Sequence, residues 1–162
     1  MKSFIRYILI FGLFLTTVTN IWAKSPWKQI GDVTDVHNWK LTTHKKTYIS
    51  KSIRMMDPQK IMEALQNNKY QNDLNSEKSK MLNFVGVSDW TVTSSRWTEI
   101  NGKKVMEVKG TYTDSLNEKV SFIENHVFGT DKIIRFLYIK PEKAAIKEEY
   151  YRDFLQEQVK KI

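Results

Sequence analysis

The dipeptide Asn101-Gly102 is the feature that most constrains this chain. Both residues tolerate positive φ, which a two-residue type I′ turn requires. The segments on either side, Trp90 to Ile100 and Lys104 to Thr113, are rich in the β-branched and aromatic residues that suit strands. Further turn signals at Asp114 to Glu118 and Gly129-Thr130-Asp131 continue the hairpin into Lys119 to Phe128 and Lys132 to Lys140. The expectation is a four-stranded antiparallel meander.

Ordinary turn lengths then predict its registers. Pairing Ile100 with Lys103 sets Arg96 opposite Glu107 and Trp97 opposite Met106. A loop of Ser115 to Glu118 sets Glu107 opposite His126 and Lys109 opposite Glu124, and a turn at Thr130-Asp131 sets His126 opposite Arg135. One face would carry a mixed-charge row, Arg96, Glu107, His126 and Arg135, beside Ser94, Lys109 and Glu124. The other would carry Trp97, Met106, Val108, Ile123, Val127, Ile134, Phe136 and Tyr138. Opposite charges facing across strands stabilise a sheet by roughly 0.2–1 kcal/mol per pair. The matched signs therefore support the meander.

Upstream, Thr47 to Met56 alternates Tyr48, Ser50, Ser52, Arg54 against Ile49, Lys51, Ile53, Met55, a strand pattern. Trp39 to Thr42 is a further short strand, and Lys24 to Asp35 reads as an irregular entry. Asp57-Pro58 starts a helix, with Asp as N-cap and Pro at N1, running to about Asn68 over Ile61, Ala64 and Leu65. The polar segment 67–80 reads as the least ordered stretch, with a second short helix from Ser76 into Met81-Leu82. Pro141 is read as opening a final helix to Ile162. Its apolar side would hold Ile146, Tyr150, Tyr151, Phe154, Leu155, Val159 and Ile162.

Met1 to Ala23 has the layout of a secretory signal peptide: Lys2 and Arg6, an apolar run from Tyr7 to Val18, then a more polar exit with cleavage after Ala23. The alternative is a retained anchor, but the run falls short of the roughly 20 residues that span a bilayer. The expectation is an exported bacterial protein, periplasmic or secreted, with residues 24–162 as one α+β domain. A chain of 162 residues that is 41% apolar can bury a core. The absence of Cys excludes disulfides, thiol catalysis and Cys-bound metals.

No catalytic motif is present. His37, His44 and His126 have no zinc-type spacing, so no metal site is expected. There is no phosphate loop and no GxSxG elbow, and no cofactor is implied. His126 beside Glu107 has the makings of an oriented base, with Ser94-Ser95 nearby, but reads better as a cross-strand contact. Glu107 and Glu124 both face basic partners, which lowers a carboxyl pKa and disfavours a general acid.

The order of elements resembles the PsbP-like fold, which includes DcrB-like bacterial proteins. The resemblance is carried by Trp90-Thr91-Val92, by Trp97 to Val105 with its Asn101-Gly102 turn, and by Gly110-Thr111-Tyr112-Thr113-Asp114. The strand Ile133 to Lys140 before Pro141 and the closing Val159-Lys160-Lys161-Ile162 add to it. It implies an αβα sandwich and an accessory, assembly or binding role with no catalytic residue to carry over. Helix-grip domains of the START type, which enclose an apolar cavity between sheet and C-terminal helix, are the alternative fold.

The formal charge of +8 favours an anionic partner, but the pairs Lys45-Lys46, Lys103-Lys104 and Lys160-Lys161 are dispersed. No aromatic motif for base stacking appears, so nucleic acid is not expected. The function expected is a non-catalytic binding or accessory protein acting through protein contacts in the cell envelope, with weak contact to anionic lipid headgroups. Its binding residues would be the row Arg96, Glu107, Lys109, Glu124, His126 and Arg135, with Trp27 and Trp39 as anchors. The alternative is a carrier of lipid or another apolar ligand.

Overall fold

The computed structural model describes residues 25–33, 36–44, 46–66, 70–74 and 87–162. Residues 1–24, and with them the signal-peptide reading, lie outside the described residues, as does the helix expected from Ser76. Among the described residues no helix is long and apolar enough to cross a membrane.

The fold is α+β, built on a seven-stranded antiparallel sheet. Its strands are β1 (Trp27–Val33), β2 (Val36–Leu41), β3 (Tyr48–Met55), β4 (Ser88–Ile100), β5 (Lys103–Thr113), β6 (Lys119–Phe128) and β7 (Lys132–Pro141). Their order across the sheet is β1-β2-β3-β7-β6-β5-β4. Helix α1 (Pro58–Gln66) follows β3, residues 70–74 are helical, and α2 (Glu149–Val159) ends the chain.

The meander from β4 to β7 is present, and it is joined by three more strands. The segment expected as an irregular entry contains β1, whose alternation is broken by a bulge between Gln29 and Gly31. Two expected registers hold: Arg96 pairs with Glu107 and His126 with Arg135. Asn101 (φ 49°) and Gly102 (φ 74°) supply the positive φ of the first turn.

The β5–β6 register differs by one residue, with Glu107 opposite Asn125 and Met106 opposite His126. The cause is the turn. Asp114 accepts bonds from the backbone of Leu116 and Glu118 through Oδ1 (3.0 and 2.9 Å), and its own N–H bonds the Glu118 carbonyl. Asn117 takes the left-handed conformation (φ 60°) that closes a three-residue loop. One residue of slip sends every side chain beyond it to the opposite face. The apolar residues expected on one face are therefore split between two.

Each face has its own core. On one, Val105, Ile123, Val127, Ile134, Phe136 and Tyr138 pack with Tyr151, Phe154, Leu155 and Val159 of α2. Those helical residues follow the spacing that lines one face of a helix. Trp27 and Leu41 extend this core beneath the N-terminal strands. On the other face Met106, Val108, Phe122, Phe128 and Ile133 pack with Ile61, Ala64 and Leu65 of α1 and with Tyr70 and Leu74. Trp90 stacks on Phe122 there at 4.2 Å. Asp57 caps α1 as expected, its Oδ1 accepting from Gln59 N at 2.8 Å.

The final helix starts eight residues later than Pro141. Pro141 is still paired with Val120, Glu142 N–H bonds Lys119, and Ala144 N–H bonds Pro141 in a turn. Those bonds use the backbone groups a first helical turn would need. Within the helix Tyr150 lies off the buried stripe of Tyr151, Phe154, Leu155 and Val159 and is 39% exposed instead of core.

Candidate functional site

The register slip divides the expected charged row. Arg96, Glu107 and Lys109 lie on the α2 face, whereas Glu124, His126 and Arg135 lie on the α1 face. On the α2 face Arg96 donates to Glu107 (Nε–Oε1 3.0 Å), and Lys109 bonds Glu148 at 2.6 Å, not Glu124. Glu148 also takes Arg152 at 2.8 Å. Burial works to raise the Glu148 pKa, but its hydrogen bonds from Lys109 and Arg152 outweigh this and leave it below the ordinary carboxylate value. Deeper in, Asn125 Nδ2 donates to Tyr151 Oη at 2.7 Å, and Tyr138 stacks on Tyr151 at 4.8 Å. Burial pushes the Tyr138 hydroxyl up to about 12 and the Tyr151 hydroxyl higher still.

On the α1 face Glu124, His126 and Arg135 form one chain of bonds. Glu124 Oε1 receives Arg135 Nε at 2.6 Å and lies 2.7 Å from His126 Nε2. Tyr70 Oη is 2.8 Å from His126 Nδ1. A carboxylate oxygen accepts, so Nε2 donates to Glu124, and the Tyr70 hydroxyl meets the other ring nitrogen. Glu124 is 1% and His126 5% exposed. Burial pulls the Arg135 pKa down, but its guanidinium stays charged and reaches solvent.

This arrangement changes where the expected site residues sit. The row does not share one exposed surface: Glu107, Glu124 and His126 are buried, and Glu107 and Glu124 lie on opposite faces of the sheet. Ser94 pairs with Lys109 on the α2 face, whereas Ser95 pairs with Val108 on the face of His126. The tryptophan anchors are also internal. Trp27 is buried, its Nε1 donating to the Tyr150 carbonyl at 3.0 Å. Trp39 is half-buried with its ring 5.0 Å from Phe154. Among the described residues no cluster of His, Asp and Glu has the makings of a metal site.

The site that sequence reasoning missed lies on the α1 face, over β1, β2, β3 and the distal half of β7. There a solvent-open concavity of about 330 Å³ is lined by Ile30, Gly31, Asn38, Tyr48, Ser50, Leu137 and Ile139. Leu137 and Ile139 have one flank against the α1 core and the other in the concavity. Cross-strand pairing orders its floor into rows. Lys28, Lys40, Tyr48 and Ile139 form one, and Gly31, Asn38, Ser50 and Leu137 the next. The usable signal was the alternation of β3, which sets Tyr48, Ser50, Ser52 and Arg54 on one face. It named no partner strand.

The space between α2 and the sheet, where a helix-grip carrier would enclose its ligand, is filled by Trp27, Tyr138, Tyr151 and Phe154. Trp27 meets Tyr138 edge-on at 6.1 Å.

No family model and no curated protein matches the chain. Solved structures similar to it in fold include a Bacteroides thetaiotaomicron protein, with 10% identity over 78% of this chain and a TM-score of 0.53. The match covers only 39% of that longer protein. A second is PA94 of Pseudomonas aeruginosa, a protein of unknown function, with 8% identity over 80% of this chain and 94% of its own, and a TM-score of 0.52. Human STARD10 matches with 8% identity over 91% of this chain and 74% of its own, at a TM-score of 0.38. At these identities the likeness is one of fold alone.

Proposed function

We propose that this is an exported, non-catalytic binding protein that works through the open concavity on the α1 face and takes an apolar ligand there. The observation that carries the reading is the mainly apolar lining of that concavity by Ile30, Tyr48, Leu137 and Ile139. Sites for small molecules are concave and mostly apolar with a few placed polar groups, the part Asn38 and Ser50 fill here. The non-catalytic part is supported by the engagement of His126 and Glu124 in a chain of bonds with Tyr70 and Arg135. A PsbP-like sandwich is part of the same proposal, supported by helical segments on both faces of the sheet.

Contact with an envelope protein is the second reading, favoured by the 52% exposure of Ile30 and 38% of Val36 at the same end of the sheet. Purification from envelope extract separates the two. Wild-type protein that carries a small amphiphile, lost on Ser50→Trp, supports the ligand reading. A saturable protein partner with no bound amphiphile replaces it with the second.

A further inference from the structure

The charges around the concavity specify its ligand more narrowly. Lys28 and Lys40 are directly paired across β1 and β2, on the face that Tyr48 and Ile139 share. Like charges in that position destabilise a sheet, and among the described residues neither lysine has a carboxylate partner. Lys40 Nζ instead lies 5.9 Å from the centre of the Tyr48 ring, at the edge of the concavity. Arg54, six residues along β3 from Tyr48, shares this face and is exposed. The positions that β1, β2, β3 and β7 contribute to this face include Lys28, Lys40, Arg54 and Arg135 and no acidic residue. Of these four, Arg135 alone is neutralised, by Glu124.

The apolar lining has a size limit as well. A volume of about 330 Å³ is at the lower end of the roughly 300–1,000 Å³ of small-molecule sites, room for one hydrocarbon chain and not two. Repulsion between Lys28 and Lys40 is relieved by an anion between them, and the chain attached to that anion then lies along Tyr48, Ile139 and Leu137. We infer that the concavity binds a single-chain amphiphilic carboxylate, with its head between Lys28 and Lys40 and its tail over Tyr48, Leu137 and Ile139. The inference rests on the ligand reading above and adds to it the anionic head.

The test is calorimetric titration of the full mature chain with laurate, below the concentration at which it forms micelles, and with dodecanol. The variants are Lys28→Gln/Lys40→Gln and Ser50→Trp. The control is Lys132→Gln/Lys161→Gln, two lysines whose charges bear on Lys51 on the other face. Laurate is expected to saturate at one per chain and dodecanol to bind more weakly. Lys28→Gln/Lys40→Gln should weaken laurate by roughly tenfold or more, as loss of charge-assisted contacts implies. Ser50→Trp should abolish saturation, and the control should bind as wild type does. Because the double variant removes a repulsion, its thermal midpoint should not fall, which separates lost binding from lost folding.

If dodecanol binds as tightly as laurate and Ser50→Trp blocks both, the concavity holds an apolar ligand and the anionic head is overturned. Absence of saturable binding by either overturns both readings. Binding of an acidic peptide that laurate does not displace also overturns the inference, in favour of a protein partner.

Discussion

The α1 face of the sheet holds two halves built on the same strands' periodicity yet finished differently. Over β4, β5 and β6 it is roofed by α1 and by Tyr70 and Leu74, and its polar groups are wired to one another. Over β1, β2 and β3 the same face keeps Tyr48, Asn38 and Ser50 around an open concavity, and these strands place Lys28, Lys40 and Arg54 there with no carboxylate partner among the described residues. Burial of a charge, not its presence, separates framework from surface here. Arg135 is the boundary, bonded inward to Glu124 with its side chain still 42% exposed.

Neighbouring residues of β7 give the sharpest contrast in stability. Phe136 is fully buried in the α2 core, so Phe136→Ala should cost about 3–5 kcal/mol by urea denaturation. Leu137→Ala, at the edge of the open half, should cost about half of that. Equal losses would erase the distinction between the closed and open regions.

The two arginines make the next comparison. Arg135→Leu leaves Glu124 buried beside His126, and should cost about 2–3 kcal/mol given that the arginine itself is partly solvated. Arg96→Leu removes a partner that is 59% exposed from Glu107, whose side chain keeps 12% exposure, and should cost less, about 1–2 kcal/mol. A larger effect at Arg96 would move the structural network to the α2 face.

The glycines test the same division by packing. A Cβ on Gly110 would run into the Thr91 carbonyl oxygen and lie 2.6 Å from the Phe122 ring, so Gly110→Ala should cost about 1–3 kcal/mol. At Gly31 a Cβ meets nothing within 4 Å, and Gly31→Ala should stay within about 0.5 kcal/mol in the same thermal melt.

The smallest effect belongs to Glu148. Its carboxyl is held lower in the folded chain than in the unfolded one, so it stabilises the protein above its ordinary value of 4.5. That contribution is lost as pH falls through the folded value. Glu148→Gln should therefore lower stability at neutral pH by a few tenths of a kcal/mol after solvent screening. The difference from wild type should close as pH drops below about 4.5; a gap that persists in acid would show that the hydrogen-bond geometry matters and the charge does not.

Local chemistry made much of this fold legible. Asn101-Gly102 located a hairpin and its register, and Asp57-Pro58 located the start of α1. What stayed hidden depended on one backbone angle or on distant partners. Asn117 entering the left-handed region shortened one loop and carried Glu124 and His126 to the face opposite Glu107. Asn117 is a residue type that accepts such angles, so the signal was present but not decisive. The concavity needed β3 beside β7, a pairing between residues about as far apart as Tyr48 and Ile139 that no local pattern specifies.

That pairing has a kinetic consequence. The N-terminal strands reach the rest of the sheet only through β7, and Trp27 is fastened to the Tyr150 carbonyl across 123 residues of sequence. Contacts that close such long loops must be bought with chain entropy before they return any stabilisation, which puts sheets of this kind among slow folders, in the millisecond-to-second range. The meander from β4 to β7 is the natural nucleus, since its neighbours are adjacent in sequence. The open half of the sheet is then the last part of the molecule to assemble.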